Sequence, residues 1–306
     1  YEVQQKVKEL EVTFIDVGQG DSCFIKTPGG RTILVDAGPS GGIYSRFDAG
    51  EMAIIPFLQR NNIDHIDTLV MTHPHSDHYG GMLSLLKSSI EIGEFLEPGM
   101  DKKSVSYQNL LRLLIKRQTP YKVIHAPKVL NWDPEMLVQV MWPEEGFIAD
   151  NPNNASIYLR LVYGDVVYTL SGDVEAEVEG VLNAYGPAMR TTVFKVPHHG
   201  SDTSNTRRFL ENLTPRLAVF SVGHNNRFGH PDRDVVNLYE KMNVPMIRTD
   251  RVGTIKTTTD GKVVRVQPEL AAPFEIYPFP QVAPEGAEPL SEEENANAGS
   301  TVQETR

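Results

Sequence analysis

The sequence predicts a four-layer α/β/β/α sandwich, and three observations carry that expectation. Short alternating or β-branched runs recur from residue 10 to residue 267, helical periods are interleaved with them in both halves, and no linker divides residues 8–270. Two sheets packed face to face with helices outside satisfy all three, because each sheet buries one face on its partner and the other on helices. The 306 residues, 40% of them hydrophobic, suffice for one such domain. On this reading residues 1–9 are a lead-in, 10–267 the domain, and 268–306 an extended, largely disordered acidic tail.

"LEVTFIDV" (10–17), "SCFIKTP" (22–28) and "RTILVDAG" (31–38) read as strands separated by Gly-Gln-Gly-Asp and Pro-Gly-Gly turns. In "GEMAIIPFLQRNNI" (50–63), Met52, Ile55, Leu58 and Gln59 fall at helical spacing. A strand "DTLVMTH" (67–73) leads to a helix "GGMLSLLKSS" (80–89). There follow a strand at 94–98, an amphipathic helix at 104–118 and strands near 121–126 and 136–142. Residues 155–173 read as a hairpin turning at Gly164-Asp165. A helix at 174–184, a strand at 191–197, a short helix near 205–212, a strand at 217–223, a helix at 234–242 and two strands within 252–267 complete the order.

Composition narrows the function. No run approaches the roughly 18 apolar residues of a membrane span, so no transmembrane segment is expected. Cys23 is the only cysteine, which excludes an internal disulfide and a thiolate metal cluster. The net charge of −11 opposes a broad electrostatic grip on a polyanion. Part of it belongs to residues 282–306, whose six glutamates against one arginine, among Ala, Pro, Ser and Asn, leave the rest near −6. The chain starts at Tyr1 with no signal-peptide pattern, as a processed or trimmed form would. An extracellular or cell-envelope setting is favoured, and the oligomeric state is left open with a monomer compatible.

The chemistry concentrates in "TLVMTHPHSDHYGGM" (68–82). His73, His75, Asp77 and His78 occupy six positions in a chain with nine histidines. Side chains two apart in a loop can converge on one ion while the aspartate and its neighbouring histidine turn to a second. These donors suit zinc, or manganese with more oxygen ligands. Asp36, Asp173, His198, His199 and His230 also lie just past strand-like runs, where a rigid scaffold presents ligands from distant parts of a chain. Asp173 alone would read as a helix N-cap; beside a histidine cluster it reads as a carboxylate bridging two ions. Asp36 reads as a turn cap or as support behind the site.

"FIDVGQGDSCFI", "LVDAG", T-H-x-H-x-D-H-x-G-G, "NNASIYLRL", "LSGD", "VPHHGSDTSN" and "SVGHNNRFGHP" follow one another over roughly residues 10–267. In that order they resemble the metallo-β-lactamase superfamily, and more narrowly the soluble nuclease-like domain of ComEC-type DNA-internalisation (competence) proteins. The resemblance implies the same sandwich and two divalent metal ions, Zn or Mn. His73 and His75 would hold one ion, Asp77 and His78 the other, Asp173 would bridge them, and His198 or His199 would complete the second. Most superfamily members place a further histidine between residues 78 and 173. Here that interval holds only His125, and "NPNNAS" stands in the matching place with Asn154 and Ser156. An amide oxygen binds zinc less strongly than imidazole, which would make the first ion more exchangeable.

The activity implied is that of a metal-dependent hydrolase, a phosphodiesterase or nuclease acting on DNA or another phosphodiester. A metal-activated hydroxide would attack phosphorus, with Asp77 and Asp173 in the catalytic set and an ion or a protonated His230 assisting the departing oxygen. Asn154, Ser156, Ser201, Thr203, Ser204, Asn226 and Arg227 are candidates to hold substrate oxygens. Alternatives are an envelope phosphodiesterase cleaving phosphorylcholine esters of teichoic acids, a carboxylic or lactone ester hydrolase, and a binding domain without catalysis. The intact ligand pattern argues against the last. A nuclease should border its site with cations, supplied by Lys102, Lys103, Arg112, Lys116, Arg117, Lys122 and Lys128 or by Arg207, Arg208, Arg216, Arg227 and Arg233. ComEC-type proteins carry a membrane channel that this chain lacks, so a free-standing relative or an excised domain is expected.

Overall fold

Alternation along the strands sorts the side chains into three apolar layers in the computed structural model, which describes residues 8–41, 47–100 and 103–278. Ile33 and Val35, with Val193, Leu217 and Val219 of the other sheet, point into one central cluster. Leu34 turns outward to Leu58, Met82 and Leu110, whereas Phe194, Ala218 and Phe220 turn to Val178, Phe209 and Tyr239. Both sheets therefore have two buried faces, and the predicted α/β/β/α sandwich is what results.

Among the described residues one sheet has nine strands and the other seven. In the first, Thr32–Val35, His65–Val70, Glu91–Glu97 and Tyr121–Val123 run parallel. In the second, Val166–Leu170, Val193–Lys195, Leu217–Phe220 and Met246–Arg248 do the same. Open sheets of parallel strands bind ligands outside the strands' carboxyl ends. The Tyr158–Tyr163 and Val166–Leu170 pair turns at Gly164-Asp165 as expected. Tyr168 of that hairpin meets Thr257 of the other sheet, with hydroxyl oxygens 2.9 Å apart.

Several boundaries differ from expectation. The helix expected at 80–89 is two short turns, Ser76–Tyr79 and Met82–Leu85. Gly80 and Gly81 lie between them because a Cβ at either would sit 2.1 Å from Ser40 N or Ala37 O, so this point serves close backbone packing. The helix at 50–63 is a wide turn, Gly50–Ile54, followed by Ile55–Arg60. Met246–Arg248 was not expected, and three residues are too few to show a period. Of the segment read as tail, Phe274–Ile276 pairs with Val264–Pro268 and widens the first sheet, which places ordered chain beyond residue 267. Residues 1–7, Lys102 and 279–306 lie outside the described residues. No helix among the described residues is long and apolar enough to cross a membrane.

Because the central layer is apolar and filled from both sheets, a cavity there should be costly. Leu161→Ala, at a fully buried position in that layer, is expected to lower unfolding free energy by roughly 2–5 kcal/mol in denaturant titrations.

Candidate metal centre

The residues that follow the parallel strands meet at one edge of the sandwich. Asp36 follows Thr32–Val35, His73 to His78 follow His65–Val70, Asp173 follows Val166–Leu170, and His199 follows Val193–Lys195. The loop Gly18–Asp21 presses on this group: Asp21 N–H donates to Asp77 O at 3.2 Å, and a Cβ on Gly20 would lie 2.3 Å from that same oxygen.

Three imidazoles share one arrangement, each anchored through Nδ1 with Nε2 turned to Asp173. His78 Nδ1 lies 2.8 Å from Asp36 Oδ2, and its Nε2 lies 3.1 Å from Asp173 Oδ2. His199 Nδ1 lies 2.9 Å from Ser221 O, with Nε2 3.4 Å from Asp77 Oδ2 and 3.6 Å from Asp173 Oδ2. His73 Nδ1 lies 3.1 Å from Ser156 Oγ, and Nε2 lies 3.0 Å from His75 Nδ1 and 3.9 Å from Asp173 Oδ2. Fixing one ring nitrogen orients the other toward a metal. Ligand atoms of Asp77, His78, Asp173 and His199 all fall within 4.8 Å of one another. His73 and His75 lie beside this group, with His73 Nε2 near both His75 Nδ1 and Asp173 Oδ2.

Behind Asp173 sits a buried cation that the sequence reading passed over. The Lys195 ammonium pairs with Asp21, lies 3.7 Å from Asp173 Oδ1 and donates to Gly172 O at 3.1 Å. Asp21, Asp36 and His78 could themselves group around an ion, but Lys195 already supplies positive charge to Asp21. A signal existed for both residues. Lys195 falls on the inward parity of "TTVFKVP", two positions after Val193, where an unpaired charge would be untenable, and that requires a carboxylate such as the Asp21 of "GQGD".

Electrostatics follow from this stacking. Burial lowers the proton affinity of His78 and His199, yet neighbouring carboxylates outweigh it. Asp173 and Asp36 hold His78 well above its ordinary range, and Asp173 and Asp21 push His199 up to about 10. Burial raises the carboxyls of Asp173 and Asp77, but His78 and His199 bring both below the usual range. His73 goes the other way: burial and the adjacent charge of His78 keep it neutral. Protons thus occupy, in the metal-free protein, nitrogens that a cation would claim.

The histidine pair is sorted by backbone. His198 and His199 both have left-handed φ, 49° and 55°. His199 faces the cluster, while His198 turns to Thr203 Oγ1 at 3.1 Å and Asn153 Nδ2 at 3.5 Å. Several candidates for substrate contact are corrected. Ser156 is fully buried, holding His73 and receiving Asp173 N–H at 3.0 Å. Asn154 donates to Glu177 and accepts from Glu175 N–H, so Asn153 is the asparagine of "NPNNAS" beside the cleft. Ser204 donates to Val174 O, and buried Ser201 engages Thr203. Asn226 ties its own loop together. His230, its ring 5.7 Å from that of His198, has its proton affinity lowered by burial and by the charges of His199 and His198.

A cleft of about 430 Å³ opens beside the cluster, with His75, Asp77, Tyr79, Asn153, His198 and Phe228 among its walls. Of the basic residues, Lys103 precedes the cleft-lining Ser104 and Arg227 precedes Phe228. Arg117 instead binds the carbonyls of Leu86, Ser88 and Ile90, Lys122 pairs with Glu94, and Arg216 binds Tyr277 O.

Comparison with known proteins agrees with this geometry. Residues 15–224 match the family described as Metallo-beta-lactamase superfamily. ComE operon protein 3 of Bacillus subtilis (strain 168) is 31% identical over 280 residues, 88% of this chain and 34% of its own length. Competence protein ComA of Neisseria gonorrhoeae is 27% identical over 249 residues, 81% of this chain and 32% of its own. The chain spans about a third of the length of these curated relatives. The metallo-beta-lactamase fold protein YhfI of Bacillus subtilis superposes with a TM-score of 0.55 at 11% identity, covering 82% of this chain and all of YhfI, a likeness of fold.

Two outcomes are expected. Asp77→Ala should abolish stable metal retention while the chain still unfolds cooperatively, and Ser156→Ala should weaken metal affinity roughly 10- to 100-fold and, by leaving the buried Asp173 N–H without its acceptor, lower stability by about 1–3 kcal/mol; metal analysis beside thermal melts checks this. Since a divalent ion must displace protons from His78 and His199, loading at pH 7 should release protons and affinity should fall as pH is lowered. Calorimetry in two buffers of different ionisation enthalpy measures both.

Proposed function

The chain belongs to the metallo-β-lactamase superfamily, and from that premise we propose that it is a metal-dependent phosphodiesterase of the nuclease type acting on DNA. The observation that carries the reading is the convergence of three Nδ1-anchored imidazoles on one buried carboxylate beside an open cleft. The donors fit a pair of divalent ions. His199 Nε2 is buried without a hydrogen-bond partner, and the mixed nitrogen and oxygen set suits zinc or manganese. His73, His75 and Asp173 would hold one ion, and Asp77, His78, Asp173 and His199 the other. Such a pair, when bound, supplies hydroxide near neutral pH and offsets charge that builds on a phosphoryl group.

The chain's own residues do the rest. Asp36, Ser156 and Ser221 set the tautomer and direction of the three imidazoles. Lys195 lies behind Asp173, 3.7 Å from Oδ1, and adds to the positive charge that His78 and His199 set around it. Tyr79 OH, with Ser106 Oγ at 2.6 Å and Ser104 Oγ at 3.1 Å, puts a row of hydroxyls on the cleft wall, suited to phosphate oxygens. The competence relatives favour DNA among phosphodiesters.

The reading is tested by stripping the metal, restoring zinc or manganese, and assaying single-stranded DNA, duplex DNA and bis(p-nitrophenyl) phosphate side by side. Restored cleavage of DNA and of the small diester is expected. Cleavage of the small diester alone would sink the nuclease assignment, and cleavage of none by metal-replete protein would remove the phosphodiesterase assignment altogether.

A further inference from the structure

A phenyl ring stands at the mouth of the cleft, at a residue that sequence reasoning passed over. Phe228 lines the cleft with His198 and Asp173, yet is 55% exposed. Its loop is held from within. Asn226 Oδ1 accepts the N–H groups of Phe228 and His230 at 3.2 and 3.0 Å, and Nδ2 donates to the carbonyls of Gly223 and His230 at 3.0 and 2.6 Å. The Arg227 guanidinium lies over the ring, 4.9 Å from its centroid. The His230 ring runs nearly parallel to it, 10° between planes, at 5.9 Å. Rings step outward from the carboxylate cluster, 6.2 Å from His199 to His198, 5.7 Å to His230 and 5.9 Å to Phe228.

A half-exposed aromatic with a guanidinium over its ring, a few ring-widths from a phosphate-directed centre, has the parts of a single-strand binding subsite: exposed ring surface for a base and positive charge for the backbone. We propose that Phe228 is the platform on which an unpaired nucleobase stacks while a phosphate of the same strand lies at the Asp173–His199 cluster, with Arg227 drawing in the adjoining phosphate. This rests on the phosphodiesterase reading and narrows its substrate to single-stranded DNA or a frayed end. A base inside a duplex already stacks on both faces and offers none to Phe228.

The test compares a short single strand carrying natural bases with the same strand carrying tetrahydrofuran abasic residues. Binding to metal-free protein is followed by fluorescence anisotropy and cleavage by the metal-replete enzyme is followed separately, for the wild type, Phe228→Ala and Phe228→Trp. Phe228→Ala is expected to reduce the preference for the base-bearing strand roughly tenfold to a hundredfold in both readouts, the range of one lost stacking contact, and Phe228→Trp is expected to preserve it. Equal affinity of the wild type for both strands, or an unchanged preference in Phe228→Ala, would overturn the inference while leaving hydrolysis of bis(p-nitrophenyl) phosphate intact. Base-dependent binding lost in Phe228→Ala, in a protein that cleaves no phosphodiester, would uphold the platform and overturn the activity.

Discussion

The buried carboxylate of Asp173 is the constraint to which the rest of the site answers. It lies between the Lys195 ammonium on the core side and the imidazoles of His73, His78 and His199 on the open side. An isolated charge there would cost several kcal/mol. Here each charge is set against an opposite one, and the series ends at the cleft, where a cation can enter. Two sheets contribute to it, so the strand ends are held in register by electrostatics at this edge as well as by the apolar layer between them.

The fold was legible because its central strands are short, continuous apolar runs: Ile33, Leu34 and Val35 together announce a strand buried on both faces, although which residue faces which layer is visible only in the structure. The ligand set was legible for a different reason, since His73, His75, Asp77 and His78 are local in sequence and too dense to be a surface loop. Residues that act through distant partners were harder. Asp21 and Lys195 make sense only together, and they are far apart in sequence. Ser156 looked like a substrate contact because a hydroxyl near a cluster reads alike whether it faces the cleft or the back of an imidazole. Asn226 was a fair candidate by type, but its side chain serves the turn that presents Phe228. Hydrogen-bond bookkeeping, which needs coordinates, decides such cases.

The same bookkeeping reshapes the electrostatic picture. The sequence shows an acidic chain with two scattered basic runs, and the structure shows where their charge goes. Arg117 fastens helix Val105–Arg117 to the carbonyls after Met82–Leu85, and Lys122 neutralises Glu94. Those two cations are engaged within the fold and are not free to line a site for a polyanion.

The paired left-handed residues His198 and His199 have a further consequence. Each non-glycine residue in that conformation carries a backbone cost of order 1 kcal/mol or more, and glycine would remove it. Two successive reversals are also what send neighbouring imidazoles in different directions, one to the cluster and one to the cleft. Stability and chemistry therefore pull this turn toward opposite sequences. A lineage relieved of the reaction would drift toward glycine here while keeping the sandwich, and the identity of these two positions would record whether a descendant still works as an enzyme.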